Sequence, residues 1–225
     1  MTPDLPKVEM YIFDKTNIFR KTNKLGLVTR NELLDLAARQ FAEYLAKTGK
    51  FSHTADGKKP AERISATGYR YCFISENLSF RGRVRGFTTQ ELAVIAVEGW
   101  KKSPAHRRNM MQPNMTEVGV GVAKVPGKQN YMSVQLFGRP DYLRYKFKIR
   151  NTSDKKVSYN FGGRTRYVPS RAILTITTCK PGKLKFVGIK NETEITEIYM
   201  PKEGFEYTLS ISKGELVVSQ RVARF

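Results

Sequence analysis

Apolar side chains recur at the spacing of one helix face over residues 31–48. The stripe consists of Leu34, Ala38, Phe41 and Leu45. Thr29 and Glu32 have the spacing of a capping box, and Gly49 stands where helices commonly end. The pattern predicts an amphipathic helix over residues 31–48.

A second stretch of helical periodicity covers residues 89–102. Its apolar positions are Leu92, Ile95, Ala96 and Trp100. Thr88 and Glu91 form a capping pair at its start, and Pro104 limits its continuation. Residues 51–86, between the two helices, are predicted to form a long ordered connection with one short helix over residues 60–66. Connections of this length usually carry function.

The periodicity becomes alternating after Pro113. Valines at positions 118, 120 and 122 alternate with small residues, a Pro-Gly turn follows, and apolar residues return over 131–137. This pattern predicts a β-hairpin. The stretch 138–141 then marks a boundary, because helical periodicity is lacking over residues 144–225.

Seven short runs beyond that boundary have strand character. They cover residues 145–150, 157–161, 173–178, 184–189, 195–200, 207–211 and 216–219. Glycine and proline residues supply turns between them. Short strands with regular turns predict a small all-β, sandwich-like domain.

Charge indicates the kind of partner. Forty Lys and Arg residues against 20 Asp and Glu residues give a formal net charge of +20, and residues 144–225 alone carry 17 basic and 7 acidic residues. Such a positive field favours an anionic partner, and nucleic acid, acidic lipid and anionic cell-envelope polymer all qualify. The alternative is that the charges only keep basic faces solvated.

No run of apolar residues approaches the roughly 20 that a transmembrane helix needs, so no transmembrane segment is expected. Residues 1–10 lack an apolar stretch behind a basic start, so a signal peptide is either missing or already removed. Cys72 and Cys179 are too few for a disulfide framework and lack metal-ligand spacing. They are either two free thiols or one long-range bridge.

His53 and His106 are the two histidines of the chain, and each follows one of the predicted helices. Packing of these helices would bring the imidazoles together. Neutral imidazole binds divalent ions such as zinc, and nearby carboxylates would complete the ligand shell. The alternative is a pair of hydrogen-bonded surface histidines.

Several motifs occur in one order along the chain. They are Asn17 with Arg20, Phe51-Ser-His53, Ser75-Glu-Asn-Leu78, WKKSPAHRRN at residues 100–109, Thr116-Glu-Val-Gly-Val-Gly121 and Val134-Gln-Leu-Phe-Gly138. Over about residues 10–140 the chain resembles the bacterial branch of the CAP superfamily of cysteine-rich secretory, antigen 5 and pathogenesis-related proteins. The resemblance implies a three-layer α-β-α sandwich with a central cleft. The predicted fold class is therefore α+β, with a CAP domain over residues 1–141 and a basic β-sandwich-like domain over residues 144–225.

The resemblance also implies a cleft with two histidines and two acidic residues, often able to hold a divalent metal. His53, Glu76 and His106 match three of these positions. At the fourth, many eukaryotic members have glutamate where this chain has Ser103, and a hydroxyl is a poorer zinc ligand. Glu117 is the candidate replacement. The expected cofactor is therefore a weakly bound divalent metal such as zinc.

Glu76 also has a structural alternative, as a carboxylate that caps a turn or pairs with Arg63 or Arg70. Asn77 and Ser103 join the ligand-binding candidates, and Asn77 also suits a role in fixing the backbone. Asn17 and Arg20 are expected to tie the N-terminal segment to the core. Further candidates are the arginines beside these motifs, Arg81, Arg83, Arg85, Arg107 and Arg108, which would collect an anionic ligand at the cleft mouth or only aid solubility.

These features predict a secreted or periplasmic binding protein whose basic surface attaches it to anionic envelope polymer or acidic lipid. The resemblance adds a small apolar ligand as a candidate. One alternative is a metal-dependent hydrolase of cell-wall or peptide substrates, although no Gly-x-Ser-x-Gly nucleophile pattern occurs. A second is a non-specific nucleic-acid binder, because no signature of sequence-specific recognition accompanies the charge.

Overall fold

The computed structural model describes residues 1–190 and 193–223. The chain folds into two compact units, Met1–Tyr142 and Leu143–Phe225. Within the described ranges, no helix combines the length and apolarity needed to cross a membrane. Neither cysteine there is a free thiol, so the alternative of two free thiols is wrong.

Five α-helices form in the first unit. They are α1 (Leu5–Thr22), α2 (Glu32–Thr48), α3 (Pro60–Ala66), α4 (Thr89–Lys102) and α5 (Pro104–Met110). The predictions of α2, α3 and α4 are confirmed, with the Thr88–Glu91 capping box in place. The predicted Thr29–Glu32 capping box is wrong. Asn31 caps α2 by accepting hydrogen bonds from two amides of the first turn.

The alternating pattern predicted one hairpin, and the first unit contains a four-stranded sheet. Its strands are β1 (Thr29–Arg30), β2 (Tyr71–Gly82), β3 (Glu117–Lys124) and β4 (Asn130–Pro140), in the order β1-β3-β4-β2. The β3–β4 hairpin is confirmed. The predicted connection over residues 51–86 requires correction, because it contains the 12-residue edge strand β2.

Two apolar clusters cover the two faces of this sheet. On one face, valines 118, 120 and 122 of β3 pack with residues of α1 and α4. On the other, Val134 and Leu136 of β4 pack with residues of α2 and α3. Gly121 permits the close approach of α2, since a Cβ there would lie 2.2 Å from the carbonyl carbon of Ala38. Helices on both faces of one sheet confirm the three-layer architecture.

The second unit is all β in its described residues. Its strands are β5 (Tyr145–Asn151), β6 (Val157–Phe161), β7 (Arg164–Val168), β8 (Ile173–Thr178), β9 (Leu184–Lys190), β10 (Thr193–Tyr199), β11 (Phe205–Ser212) and β12 (Glu215–Val222). They form two four-stranded sheets, ordered β10-β9-β6-β7 and β12-β11-β5-β8. One core takes side chains from both sheets, including Phe186 of β9 and Tyr207 of β11. The sequence predicted seven of these strands and missed β7.

Candidate functional site

The candidate site lies along β2, an edge strand with β4 as its single neighbour among the described strands. Side chains alternate between the two faces of a strand, so Glu76 and Asn77 point into different layers of the sandwich. Glu76 contacts His53 and Arg63, which follow α2 and lie in α3, respectively. Asn77 contacts α5. The edge strand therefore connects residues from both helical layers.

Glu76 has both carboxylate oxygens engaged. Its Oε1 lies 2.7 Å from Nδ1 of His53, and its Oε2 accepts a hydrogen bond of 2.8 Å from Nη2 of Arg63. Arg63 also pairs with Asp56 at 2.8 Å. Because a carboxylate only accepts, Nδ1 of His53 carries the proton in this contact. The sequence offered two roles for Glu76, contact with a cleft histidine or pairing with an arginine. The buried carboxylate makes both contacts, with His53 and with Arg63.

His106 lies in α5, which an asparagine cluster attaches to β2. Nδ2 of Asn77 donates to the backbone oxygen of His106 at 3.3 Å, and Nδ2 of Asn109 donates to Oδ1 of Asn77 at 2.8 Å. Burial, followed by the charges of His53 and Arg81, lowers the pKa of His106 below its ordinary value. Both effects favour the neutral form of His106.

A groove of about 470 Å³ opens beside His106. It is lined by Phe51, Leu78, Ser79, Phe80, Arg81, Gly99, Trp100, Ser103 and His106. The walls are mainly apolar and aromatic, and none of these lining residues carries a carboxylate. The groove therefore suits a ligand with an apolar part more than a fully hydrated ion.

The described residues include no three ligand atoms from His53, Glu76 and His106 that all lie within 4.8 Å of one another. The geometry instead offers two imidazoles, one of them held by Glu76. A carboxylate that binds the far nitrogen of a histidine is a common outer partner of metal sites. The contact with Glu76 gives His53 this kind of outer support.

The family description "CAP: Cysteine-rich secretory protein family" matches residues 13–137. This range is more than half of the 225 residues. The chain belongs to the CAP family. The match covers α2 to α5, the sheet strands β1 to β3, and the His53, Glu76 and His106 positions, so these residues lie in its CAP domain.

Several similar proteins are bacterial. The uncharacterized protein YkwD of Bacillus subtilis (strain 168) is 28% identical over 114 residues, which are 50% of this chain and 41% of YkwD. An extracellular protein containing a SCP domain from Bacillus anthracis has 24% identity, covers 60% of this chain and 41% of its own, and superposes with a TM-score of 0.51. An outer surface protein from Borrelia burgdorferi has 19% identity, a TM-score of 0.51 and coverage of 60% of this chain and 93% of its own. The chain thus spans about two-fifths of the two Bacillus proteins.

Ser103 lies between α4 and α5 at the groove of the CAP domain. Its side chain makes no capping hydrogen bond to α5. Within the part of the chain that the structure describes, no hydrogen bond joins Ser103 to His106. The arrangement therefore lacks the nucleophile–base contact that characterises a serine hydrolase.

Glu117, the candidate fourth ligand, lies in a different network of the CAP domain. Its Oε2 accepts hydrogen bonds from the hydroxyl of Tyr69 at 2.5 Å and from Nδ2 of Asn31 at 3.3 Å. Burial, followed by the bond to Glu117, raises the pKa of Tyr69. The structure thus does not bring Glu117 to the histidines.

Asn77 is fully buried, and its amide bonds to Gln135 and α5. This placement favours the backbone-fixing interpretation over direct ligand contact. Arg20 is also fully buried, and its guanidinium donates to the backbone oxygens of Gly26, Met110, Gln112 and Met115. The side chain of Asn17 donates to the backbone oxygen of Val28 and accepts from its backbone N–H, each at 2.9 Å. Both residues tie α1 to the rest of the unit, as the sequence predicted.

The candidate arginines do not gather at one place. Arg83 and Arg85 pair with Glu91, and the bond from Arg85 is the main cause that lowers the pKa of Glu91 to about 2. Arg107 lies over the ring of Phe19, with 4.9 Å from its guanidinium carbon to the ring centre. Arg108 is exposed. Among the five, Arg81 alone lines the groove.

Sequence reasoning missed Phe80 and Gly99 as groove residues. Phe80 lies in the edge strand β2, which the pattern did not predict, so the sequence did not assign it to a strand face. Gly99 carried a usable signal, because glycine inside a helix is unfavourable and requires a reason.

Proposed function

We propose that the chain is a secreted or periplasmic binding protein whose CAP cleft holds a small ligand or a weakly bound divalent ion. The observation that carries the proposal is the 2.7 Å contact of Glu76 with His53, at a strand edge where a second imidazole, that of His106, senses the charge of the first. Exposure of about half of the His53 side chain leaves its ring accessible. An oriented, accessible imidazole in a domain with a second imidazole of lowered pKa is suited to binding.

Zinc or a similar ion fits the chemistry of these donors. His53, through Nε2, and His106 would hold it, while Glu76 and Arg63 would keep the first imidazole in place. When bound, such an ion supplies Lewis acidity and attracts anionic groups of a ligand. Binding is expected to be weak because Glu76 is already engaged and Ser103 replaces an acidic residue.

The location outside the cytoplasm rests on similarity. The Bacillus anthracis structure is described as an extracellular protein, and the Borrelia burgdorferi structure as an outer surface protein. Their identities to this chain are low, so they support the location as a proposal. Fractionation of the producing cells, with immunodetection of the chain, would test it. Recovery only in the cytoplasm would contradict the location.

The histidine cleft is tested by titrating zinc into the full chain and following its imidazole signals by NMR. Since the chain has only two histidines, each signal is readily assigned with the His53→Ala and His106→Ala variants. We expect both signals to shift together in the wild type, and each variant to weaken binding. Glu117→Gln is the matched control, because Glu117 lies in another network. Independent shifts, or equal binding by all variants, would discard the site.

The basic surface is the second part of the proposal. The edge strand β7 exposes Arg164 and Arg166, which follow the same strand face. We expect the chain to sediment with phosphatidylglycerol vesicles and not with phosphatidylcholine vesicles, and the double variant Arg164→Glu/Arg166→Glu to sediment less. Lys50→Glu/Lys128→Glu changes the net charge equally at exposed sites of the first unit and serves as the control. Equal losses in both double variants would show that net charge alone is responsible.

A further inference from the structure

Arg81 differs from its neighbours Arg83 and Arg85 in having no acidic partner, and from Arg107 and Arg108 in lining the groove. In the described part of the chain, no carboxylate lies within ion-pair distance of its guanidinium. Its Nε is buried without a hydrogen-bond partner, and its Nη1 reaches only the neighbouring backbone oxygen of Phe80, at 3.4 Å. Arg83 and Arg85, only a few residues away, share Glu91. The groove therefore contains a cationic group whose hydrogen-bonding capacity is largely unused.

The helix opposite Arg81 has a glycine where the guanidinium lies. A Cβ on Gly99 would be 1.9 Å from Nη2 of Arg81. Gly99 lies inside α4, where glycine lowers helix stability relative to alanine, and its backbone does not need a positive φ. The helix thus leaves room for this side chain. An arginine that served only solubility would need no such space.

The rest of the groove is apolar or weakly polar. Phe51 and Phe80 have ring centres 6.2 Å apart and are both exposed, while Trp100 lies beneath the groove. The hydroxyl of Ser79 is buried without a partner. A cation at one point and exposed aromatic rings nearby are complementary to an amphipathic anion.

We propose that this groove binds a small amphipathic anion, with its carboxylate or phosphate group on Arg81 and its apolar part along Phe51 and Phe80. The inference deepens the proposed binding function by naming the class of ligand, and it rests on that function for the cleft itself. The guanidinium can donate two parallel hydrogen bonds to either anionic group. An anion without an apolar part would bind more weakly, because it would not contact the aromatic rings.

Trp100 gives a direct reading of binding, because it is the single tryptophan of the chain and lines the groove. The probes are 4-phenylbutyrate, 4-phenylbutyl phosphate and the uncharged 4-phenylbutanol, titrated into the full chain with EDTA present. We expect both anions to change the Trp100 fluorescence, with the alcohol about tenfold weaker or more. The two anionic probes distinguish a carboxylate ligand from a phosphate ligand.

Arg81→Gln is the decisive variant, and Arg83→Gln is its matched control outside the groove. We expect Arg81→Gln to weaken binding of the anions by about tenfold or more and to leave the alcohol unaffected. Gly99→Ala favours the helix but displaces the guanidinium, so it should weaken anion binding without loss of folding. This second variant keeps the test valid if Arg81→Gln folds poorly.

Three results would overturn the inference: equal binding of anions and alcohol, equal effects of Arg81→Gln and Arg83→Gln, or no response to any probe. Zinc titration of the imidazoles is a separate measurement made without EDTA. Anion binding without a zinc response would remove only the metal part of the proposed function. A zinc response without anion binding would remove only the inference about Arg81.

Discussion

The two units bury different kinds of side chain. The first buries several charged residues, among them Glu9, Arg20, Asp35, Arg63 and Glu76. In the described residues of the second, Glu206 is the single buried charged side chain, and it pairs with Arg150 and Arg221. The core of the second unit is instead aromatic, and the ring of Tyr207 contacts those of both Phe147 and Phe186.

The two units therefore illustrate two ways of stabilising a backbone, by buried polar networks and by apolar packing. A buried polar network fixes distances and directions, because each donor needs its acceptor at about 3 Å. An apolar cluster supplies area and tolerates changes of similar volume. The candidate site occurs in the unit with the polar networks, where Asn77, Arg63 and Glu76 set the positions of the two imidazoles. These networks therefore contribute to geometry as well as to stability.

The largest effect is expected from the aromatic core. Phe147→Ala removes a fully buried ring that contacts Tyr145, Phe161 and Tyr207. We expect it to lower the free energy of unfolding by about 3–5 kcal/mol, because a cavity remains. Urea unfolding followed by far-ultraviolet circular dichroism measures the loss. A cost near that of Ile149→Val, about 0.5–1.5 kcal/mol, would mean that the cluster repacks around the cavity.

A conservative change in the polar network should cost more than a conservative change in the apolar core. Arg20→Lys keeps the charge but cannot donate to four backbone oxygens at once. We expect a loss of about 2–3 kcal/mol, since buried carbonyls lose their partners. Urea unfolding followed by Trp100 fluorescence reports on this unit. A loss no larger than that of Ile149→Val would remove the contrast between the units.

Asparagines in the two units provide a matched pair. Asn77→Ala removes the bonds to α5 and Gln135, and we expect a loss of about 1–3 kcal/mol with a displaced imidazole signal of His106. Asn160→Ala removes one hydrogen bond, to Thr165, and should change stability by less than about 0.5 kcal/mol. Unfolding and NMR of the imidazoles measure both changes. An unmoved His106 signal in the Asn77 variant would show that α5 keeps its place without the asparagine.

The same difference explains which elements could be predicted from the sequence. The signals of α4 are local, since its cap and apolar stripe lie within one segment. The inward face of α1 carries Glu9, Thr16 and Arg20 beside its apolar residues, so its periodicity is obscured. Their buried partners come from distant segments, as with Gln135 Nε2, which donates to Thr16 Oγ1 at 2.8 Å. In β2 the polar residues Glu76, Asn77 and Ser79 are buried in the same way.

The candidate site could be predicted mainly from motifs that occur in a fixed order along the chain. Spacing alone left His53 and His106 as two separate histidines, and the resemblance placed them in one cleft. The sequence could not predict which arginine lines the groove and which forms an ion pair. Arg81 and Arg83 have the same charge and nearly the same position in the chain. Only the locations of Glu91 and Gly99 in three dimensions distinguish them.

The smallest effect concerns protonation of His106. Burial is the main cause that lowers its pKa below 6.5, and the charges of His53 and Arg81 add to it. The unfolded chain therefore binds this proton at higher pH than the folded chain, so the stability contribution of His106 is present above pH 6.5 and is lost as the pH falls through the lowered value. We expect NMR titration to place the His106 pKa below 6.5. His53→Ala and Arg81→Gln should each raise it only part of the way, because the burial remains. Full recovery in either variant would show that charge, and not burial in the groove, determines the protonation state of this imidazole.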